Sequence, residues 1–518
     1  MLNLQNPQLH DISRHSLFSL LTVNRAFHDI TLPVFYRSCV LHFSNQDRSG
    51  AARIESWLKE SSAILSFIRN ITIAGGQVGY YNPPRGIVLA PAAENTTKWN
   101  CVTQLLGKIS RLASFTFDYP EQMPIILLDA LHKHHPSAHL HIRNWRRSST
   151  SNPVVEPAEE ALAHSPCLRS LHGHFITGGP DADFRNEAFD RIAKLSPNLV
   201  AISRTSRAQG GCVHYFIGRA KIQKRARKAQ KFAVKTPRRK AIKSLRMNFA
   251  NADTLTDLGS YMDLGQLTSL GDIELTSDFF RLAVEDQTYK LSSLKHLDLN
   301  LTSRRSSRDY PATESAFTLF LAEGCGALKS LSIVIETSRP WGPILSTILL
   351  YQGFLLDKLS LHQVQGVKRA CLTLDEVSEI CHSCPGLSSL GLDIDRTVER
   401  KAESAYYAIL CQFSNLRKLK IYMDSGMHPF AHKKFALEVW EGVSQRTGLT
   451  QTVRLRELIL CIGEQDVTVF HGYPSPGARS LAASRERVRV KRSERDDRPA
   501  EVDVTITSVD NLLRGTAL

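Results

Sequence analysis

The sequence predicts an α/β solenoid of repeated strand–helix units, and two observations lead to that fold class. First, a short pattern of Leu, two residues, Leu, one residue and an apolar residue returns along the chain. Second, stretches with helical spacing separate the copies, such as TLDEVSEICHSC from Thr373. The alternating apolar residues of each copy predict a short strand. One unit exposes an apolar edge that only a neighbour can cover, so the units are expected to stack.

The clearest copies of the pattern follow Leu270 and start about 24 to 39 residues apart, more irregularly than an ideal leucine-rich repeat of roughly 20–29 residues. Weaker copies lie upstream, such as SFIRNITI from Ser66 and SRLASFTF from Ser110. The clear copies are LSSLKHLDLNL from Leu291, GALKSLSIVI from Gly326, LDKLSL from Leu356, PGLSSLGLDI from Pro385, SNLRKLKI from Ser414 and VRLRELIL from Val453.

These copies resemble leucine-rich repeats of the looser, cysteine-containing and fungal types, because no asparagine ladder follows the strands. The resemblance implies a leucine-rich-repeat-like solenoid. An ordinary α/β domain with repeated strand–helix units is the alternative. Within one helical stretch, Thr373 and Glu376 have the spacing of a capping box, which predicts where that helix begins.

The chain has 518 residues, of which 42% are hydrophobic and 22% charged, values that suit a folded globular protein. Its net charge of +15 permits binding of nucleic acid or of acidic partners. We expect neither a secretory signal nor a membrane span, and the apolar run ILSTILLYQGFLL from Ile344 predicts a buried helix. Ten cysteines without a signal favour reduced thiols and a cytoplasmic or nuclear location.

Three stretches interrupt the repeats and guide a division into domains. A Gly- and Pro-rich loop follows Ala74, a densely basic insertion occupies about residues 219–241, and a polar segment begins at His471. We therefore expect an N-terminal segment over 1–45 and an irregular solenoid over 46–470. A polar, largely disordered tail is expected over 471–518, and its VDVTITSV stretch could form a final strand.

The N-terminal segment contains SLFSLLTVNRAFHDITLPVFYRSCVLHF, which runs from Ser16 to Phe43. Its apolar residues recur at helical spacing, and Pro33 is expected to end the helix. Alternation at Cys39, Leu41 and Phe43 then predicts a strand. A unit this small is not stable alone, so it must pack on the first repeats or present a face to another protein.

This segment resembles the second half of an F-box as found in fungal proteins. The family pattern is leucine-rich, then Val-x-(Arg/Lys)-x-Phe, then Leu-Pro-x-(Leu/Phe)-Tyr-Arg. The usual opening Leu-Pro-x-Glu helix has no counterpart in MLNLQNPQLHDIS, so we expect an incomplete F-box, through a start codon placed inside a longer gene or through degeneration. The matching positions are Leu17, Leu20, Leu21, Val23, Phe27, Leu32, Pro33, Phe35, Tyr36 and Arg37.

The resemblance implies a non-catalytic substrate receptor of an SCF-type cullin–RING ubiquitin ligase. The F-box residues Leu17, Leu20, Leu21, Val23, Phe27, Leu32, Pro33 and Tyr36 would contact the Skp-type adaptor, and the solenoid would hold an unidentified protein target. Such solenoids typically bind on the concave strand face, where outward side chains lie between buried leucines. The candidate target-binding residues are Lys295, His296, Asp298, Lys329, Asp393, Arg417, Lys418 and Lys420.

Other motifs give weaker signals. CHSC at Cys381–Cys384 has two thiols and a histidine but no second Cys-x-x-Cys, so core packing is favoured over zinc. The stretch HKHHPSAHLH from His132 is interpreted as surface histidine. The basic insertion could be a nuclear-import signal, a nucleic-acid patch or an exposed loop. No phosphate-binding loop or nucleophile elbow is present, and we expect no catalytic residue, cofactor or metal ion.

Three alternatives to the ligase receptor remain open at this point. A repeat scaffold not coupled to a ligase fits the incomplete F-box. A basic nuclear or nucleic-acid-associated protein would use the insertion, and salt-sensitive nucleic-acid binding would support it. An α/β enzyme comes last, and a deep polar pocket with converging titratable groups would favour it.

Overall fold

The structure is a computed structural model. Two compact units make up the chain. The N-terminal unit comprises Met1–Phe175, Gly179–Ser203 and Lys224–Thr236, and the C-terminal unit comprises Ile176–Gly178, Arg204–Gln223 and Pro237–Leu518. The described residues are 14–43, 49–60, 62–75, 96–119, 121–147, 154–177, 184–208, 239–247, 249–301, 310–335, 340–363, 371–394, 400–423, 429–444, 455–462, 486–491 and 502–505.

The N-terminal unit alternates helices with short strands. Its helices are α1 (Arg14–Leu21), α2 (Arg25–Tyr36), α3 (Ser49–Glu60), α4 (Ser62–Phe67), α5 (Thr96–Lys108), α6 (Ile125–His134), α7 (Pro157–Ala163) and α8 (Arg185–Leu195). Its strands are β1 (Ser38–Phe43), β2 (Asn70–Gly75), β3 (Ser114–Asp118), β4 (His139–Trp145), β5 (Leu168–Thr177) and β6 (Ala201–Ala208), and the last residues of β5 and β6 belong to the other unit.

Strands β1 to β5 pair in parallel, each with the next strand along the chain. The pairing aligns equivalent residues of successive units, so that Cys39, Ile71, Phe115 and Leu140 form one buried row. Such a row is the core of a stacked repeat, because each apolar side chain is covered by its counterparts in the neighbouring units.

The C-terminal unit continues the same alternation. Its helices are α9 (Ala252–Tyr261), α10 (Ser277–Glu285), α11 (Tyr310–Leu319), α12 (Gly342–Tyr351), α13 (Leu374–Ser383), α14 (Arg400–Leu410) and α15 (Pro429–Ser444). Its strands are β7 (Ser244–Met247), β8 (Phe249–Ala250), β9 (Ser269–Leu275), β10 (His296–Leu301), β11 (Ser330–Ile335), β12 (Lys358–Gln363), β13 (Ser389–Asp393), β14 (Lys418–Met423), β15 (Glu457–Ile462), β16 (Glu486–Lys491) and β17 (Val502–Thr505).

Strands β9 to β15 are parallel, and the predicted leucines fall into register. No residue of the central row is more than 1% exposed. The fold class is therefore confirmed: the chain is an α/β leucine-rich-repeat-like solenoid of strand–helix units. The row consists of Leu270, Leu297, Leu331, Leu359, Leu390, Leu419 and Leu458.

Several local predictions are confirmed. Thr373 Oγ1 accepts from the amide of Glu376 at 3.2 Å, and a Glu376 carboxylate oxygen accepts from the amide of Thr373 at 2.7 Å. This capping box starts α13 as expected. Cys39, Leu41 and Phe43 alternate inward along β1. Helix α11 continues into a π-helical turn at Phe320–Gly324.

Pro33 does not end the N-terminal helix, and that prediction is wrong. The segment forms two helices, because Asn24 is extended and caps α2 by accepting from the amide of Phe27 at 2.9 Å. Helix α2 then runs through Pro33 to Tyr36. Packing of α2 against α1 and α4 outweighs the local preference against proline inside a helix.

Helix α12 is only partly buried, although its sequence predicts a buried helix. Ile344 and Ile348 lie in the core, whereas Leu350 and Phe354 are 74% and 77% exposed. A 3₁₀ turn at Gly353–Leu355 carries Phe354 outward. None of the helices in the described ranges is long and apolar enough to cross a membrane.

The segments that interrupt the repeats lie largely outside the described residues. This holds for the loop after Ala74, for the basic insertion up to residue 238 and for most of 471–518. Within the last range, β17 lies in the VDVTITSV stretch where a final strand was expected. Strand β16, antiparallel to β15, was missed by the sequence analysis.

Candidate functional site

Outward side chains alternate with buried leucines along the strands of the C-terminal unit. In β10 the residues Leu297, Leu299 and Leu301 are buried, while His296, Asp298 and Asn300 are exposed or half-buried. Period-two alternation places the second set on the face opposite the core. We call the outward positions of β7 to β15, with the residue that precedes each strand, the outer strand face.

A set of cations, which we call the basic edge, lies where the strands of this face begin. Backbone bonds fix its spacing: the amide of Lys329 donates to the carbonyl of Lys295 at 2.8 Å, and that of Arg456 to Arg417 at 2.7 Å. The edge consists of Lys243, Lys295, Lys329, Lys358, Arg417, Lys418 and Arg456, of which Lys418 is half-buried and the others are exposed.

In the described ranges, few carboxylates lie close enough to the cations of the basic edge to neutralise them. Lys418 Nζ lies 3.0 Å from Glu457 Oε2, and Asp357 accepts a bond from the Ser388 hydroxyl. Across the described ranges, no carboxylate oxygen lies within 4.0 Å of the side-chain nitrogens of Lys295, Lys329 or Arg417. Charged surfaces usually intersperse both signs, so the three exposed cations without a carboxylate partner in the described ranges indicate a place for an anionic partner.

Beside the basic edge lies a buried polar cluster formed by Lys420, His362, Asp393 and Tyr422. His362 Nδ1 lies 2.9 Å from Asp393 Oδ1, and the His362 ring stacks on Tyr422 with centroids 3.8 Å apart. Lys420 Nζ donates to the Tyr422 hydroxyl at 2.6 Å. Burial raises the pKa of Tyr422 and the ammonium group opposes that shift, so the phenol is neutral and accepts the bond at pH 7.

The predicted target-binding residues fall into three groups. Lys295, His296, Lys329 and Arg417 are exposed on the outer strand face. Asp298, Lys418 and Lys420 are half-buried on it. Asp393 is 1% exposed, so the expectation that its side chain is accessible is wrong. Its carboxylate is turned into the sheet because it accepts from the amide of Gln363 at 2.6 Å and contacts His362.

Sequence reasoning missed part of this face. Lys243 and Arg456 follow the apolar residue that opens their repeats, as Lys295 does, and Lys358 is equivalent to Lys418 in the strand register. Aligning AIKSLRM, LDKLSL and VRLRELIL with the other copies of the repeat would have found them. No pattern marks His362 or Tyr422, because the stacking of these rings depends on strands that are far apart in sequence.

The second candidate site is the helical hairpin of α1 and α2, which the F-box resemblance singled out. Asn24 separates the helices, and the rings of Phe18 and Phe35 pack with centroids 6.3 Å apart. Tyr36 packs edge-on against Trp57 of α3 at 6.2 Å. Leu17, Leu20, Leu21, Leu32, Pro33 and Tyr36 are half-buried.

The hairpin leaves apolar side chains uncovered. Of the predicted adaptor contacts, Val23 and Phe27 are exposed. Two further apolar residues, Phe18 and Ile30, were not among the predicted contacts and lie exposed as well. The exposed fractions are 56% for Phe18, 59% for Val23, 46% for Phe27 and 54% for Ile30.

The cysteine and histidine motifs lie within the repeats. Cys384 is buried, and burial raises the pKa of its thiol to about 12, so it is a neutral core group. Neighbouring His382 contacts the carbonyl oxygen of Ser378 at 2.7 Å. Across the described ranges, no group of three or more His, Cys, Asp or Glu side chains is placed to hold a metal ion.

Two of the basic- and histidine-rich positions depart from the surface interpretation. His135 is buried, and its Nε2 contacts the Leu106 carbonyl at 2.8 Å. Lys240, at the end of the basic insertion, is 8% exposed, and burial lowers its pKa to about 8. Both side chains are therefore part of the folded repeats and do not form a solvent-exposed patch.

No protein-family model and no curated protein matches the chain. Among solved structures, it is similar to the leucine-rich repeat-containing protein LegL7 from Legionella pneumophila, at 10% identity and a TM-score of 0.28. That match covers 86% of this chain and 96% of LegL7. The fold assignment depends on the strand register described above.

Proposed function

We propose that the chain is a non-catalytic protein-interaction repeat protein that acts as a substrate receptor of an SCF-type ubiquitin ligase. The α1–α2 hairpin would bind the Skp-type adaptor, and the outer strand face would bind the protein target. The observation that carries the proposal is the uncovered apolar surface of the hairpin, at the residues whose sequence resembles an F-box.

Energetics favour a partner on this hairpin. Contiguous exposed apolar side chains on a folded protein mark interaction sites, because covering them removes apolar area from water. Phe18, Val23, Phe27 and Ile30 are about half exposed within two short helices. The sequence resemblance implies an F-box adaptor as the partner. The exposed Val23 and Phe27 are two of the positions that match the F-box pattern.

The hairpin is well placed to couple an adaptor to a repeat array. Helix α2 leads directly into β1, which pairs with β2 over six residues from Ser38 to Phe43. Docking at the hairpin would therefore hold the first repeats in a defined position beside the ligase. A receptor of this kind raises the effective concentration of its target near the ligase and needs no catalytic group. It would work in the cytoplasm, the nucleus or both.

Co-purification of the full chain with a Skp-type adaptor tests the proposal. A Val23→Asp, Phe27→Asp double variant places charges on the exposed surface and should abolish co-purification. The control is Val154→Asp, which changes an apolar residue that is 66% exposed elsewhere in the N-terminal unit. If neither the wild type nor the control retains the adaptor, the ligase coupling is refuted and a repeat scaffold without it remains.

A further inference from the structure

We propose that the basic edge of the C-terminal unit binds an extended acidic segment of the protein target. The inference rests on the proposed function only in assuming a protein target, and it does not depend on ligase coupling. Its main observation is the row of exposed cations at Lys295, Lys329, Lys358, Arg417 and Arg456, which the strand register places at one side of the outer strand face.

The geometry of the edge fits an extended chain. Neighbouring strands lie about 4.8 Å apart, so β10 to β15 span about 24 Å across five intervals. An extended peptide advances about 3.3 Å per residue, and about eight residues cross this distance. Strand β13 interrupts the row with Ser388 and Ser389, so the cations form one group on β10 to β12 and another on β14 and β15.

Small side chains beside the cations leave room for a partner backbone. Ser330, Ser332 and Ser360 follow the basic edge on β11 and β12, and all three are half-buried. The face is therefore shallow next to the cations, and a segment lying on it could bring its carboxylates within reach of the ammonium and guanidinium groups.

Nucleic acid fits the same row less well. Single strands are held largely by stacking on exposed aromatic rings. In the described part of this face, Tyr422 is buried and stacks on His362, so its ring faces are not offered to a base. Carboxylates also interrupt the row at Asp357 and Glu457, where a continuous phosphate backbone would be repelled. A peptide can place amide or hydroxyl donors opposite those two groups.

Fluorescence anisotropy of the full chain at about 50 mM salt, where screening is weak, tests the inference. The probe is a labelled ten-residue peptide of alternating glutamate and serine, compared with the same peptide carrying lysine and with a thymidine decamer. We expect the glutamate peptide to bind more tightly than either comparison probe. We also expect its affinity to fall about tenfold between about 50 and 300 mM salt.

Two matched variants locate the binding. Lys295→Glu, Lys329→Glu, Arg417→Glu reverses three exposed cations of the basic edge and should weaken peptide binding at least tenfold. The control Lys59→Glu, Lys108→Glu, Lys133→Glu makes the same change of net charge at exposed lysines of the N-terminal unit and should change affinity less than twofold. A Lys295→Gln, Lys329→Gln, Arg417→Gln variant should show an intermediate loss of peptide affinity. This milder variant is the control for misfolding of the charge-reversed variant.

Three results would overturn the inference: equal losses in the edge and control variants, no binding of the glutamate peptide by the wild type, or tighter binding of the thymidine decamer. The last would favour the nucleic-acid alternative. Adaptor co-purification separates this test from that of the ligase coupling. Peptide binding lost only in the edge variant, without any adaptor binding, would support the acidic segment and refute the coupling.

Discussion

His362 Nδ1 lies 2.9 Å from Asp393 Oδ1, and both side chains are at most 1% exposed. The other Asp393 oxygen accepts from the amide of Gln363 at 2.6 Å. Backbone pairing between β12 and β13 runs only from Lys358 with Ser389 to Ser360 with Gly391. The carboxylate therefore replaces the strand-to-strand bonds that stop there, and it fixes the end of β12 to β13.

Asp393→Ala should lower the free energy of unfolding by about 1–3 kcal/mol for each buried donor that is left without an acceptor. The physical reason is that His362 and the Gln363 amide would lose a buried acceptor. Urea unfolding of the full chain measures the loss. Glu379→Ala, at an exposed position of α13, is the control and should change the free energy by less than about 0.5 kcal/mol. A similar small effect in both variants would refute the structural role of Asp393.

Gly75→Ala should destabilise the N-terminal unit by about 2 kcal/mol or more. A Cβ atom at Gly75 would lie 1.6 Å from the carbonyl oxygen of Phe43 and 2.7 Å from Cε2 of Tyr119. The paired ends of β1 and β2 would have to separate, and overpacking of this kind typically costs about 1–3 kcal/mol. Thermal and urea unfolding measure the effect.

The matched control is Gly107→Ala, near the end of α5, where the nearest atom to the new Cβ is 3.5 Å away on His134. Alanine is a better helix former than glycine, so this variant should gain up to about 1 kcal/mol. If both substitutions stabilise the protein, Gly75 and Phe43 do not approach each other as closely as described.

Because of Lys240, the free energy of unfolding should increase as the pH rises from about 8 to about 10.5. Burial lowers the pKa of Lys240 from 10.5 to about 8 in the folded state, so the unfolded state binds more protons between these values. The free energy of unfolding then increases with pH in that window. Lys240→Met should be more stabilising at pH 7 than at pH 10. Lys243→Met, at an exposed neighbour, should show no such difference, and pH-independence of both variants would contradict the assignment.

Because of His135, the free energy of unfolding of the N-terminal unit should decrease in mild acid. Burial lowers the pKa of His135 below its ordinary 6.5, so the unfolded state takes up a proton first as the pH falls through 6.5. The free energy of unfolding therefore decreases from pH 7.5 to pH 5.5. His135→Gln should reduce that decrease, whereas Lys133→Gln, at an exposed neighbour, should leave it unchanged. An NMR titration giving His135 a pKa above 6.5 would contradict the prediction.

The leucine pattern was sufficient to predict the strands, because a period-two alternation repeated in register has few other folded solutions. Leu297, Leu331 and Leu359 therefore lie where the sequence placed them. The cations next to these leucines could be predicted for the same reason. Asp393 could not, because its burial depends on the point at which the β12–β13 pairing stops, which no local pattern encodes.

The N-terminal segment shows a second limit of sequence reasoning. Proline disfavours a helical residue before it, yet α2 continues through Pro33 because tertiary packing holds the helix. Strand β16 was not predicted although ERVRVK alternates, because the segment from His471 was expected to be a polar tail. Packing against α1 and α4 in the first case, and pairing with β15 in the second, outweighed local propensity.

Site-specific photo-cross-linking tests most directly whether the outer strand face binds the protein target. A photoreactive residue replaces Ser332, beside the basic edge on β11, or Glu379, exposed on helix α13. The account predicts a protein adduct from position 332 that disappears in the Lys295→Glu, Lys329→Glu, Arg417→Glu variant, and no such adduct from position 379. Adducts formed equally from the helix position, or unaffected by the three substitutions, would contradict the account.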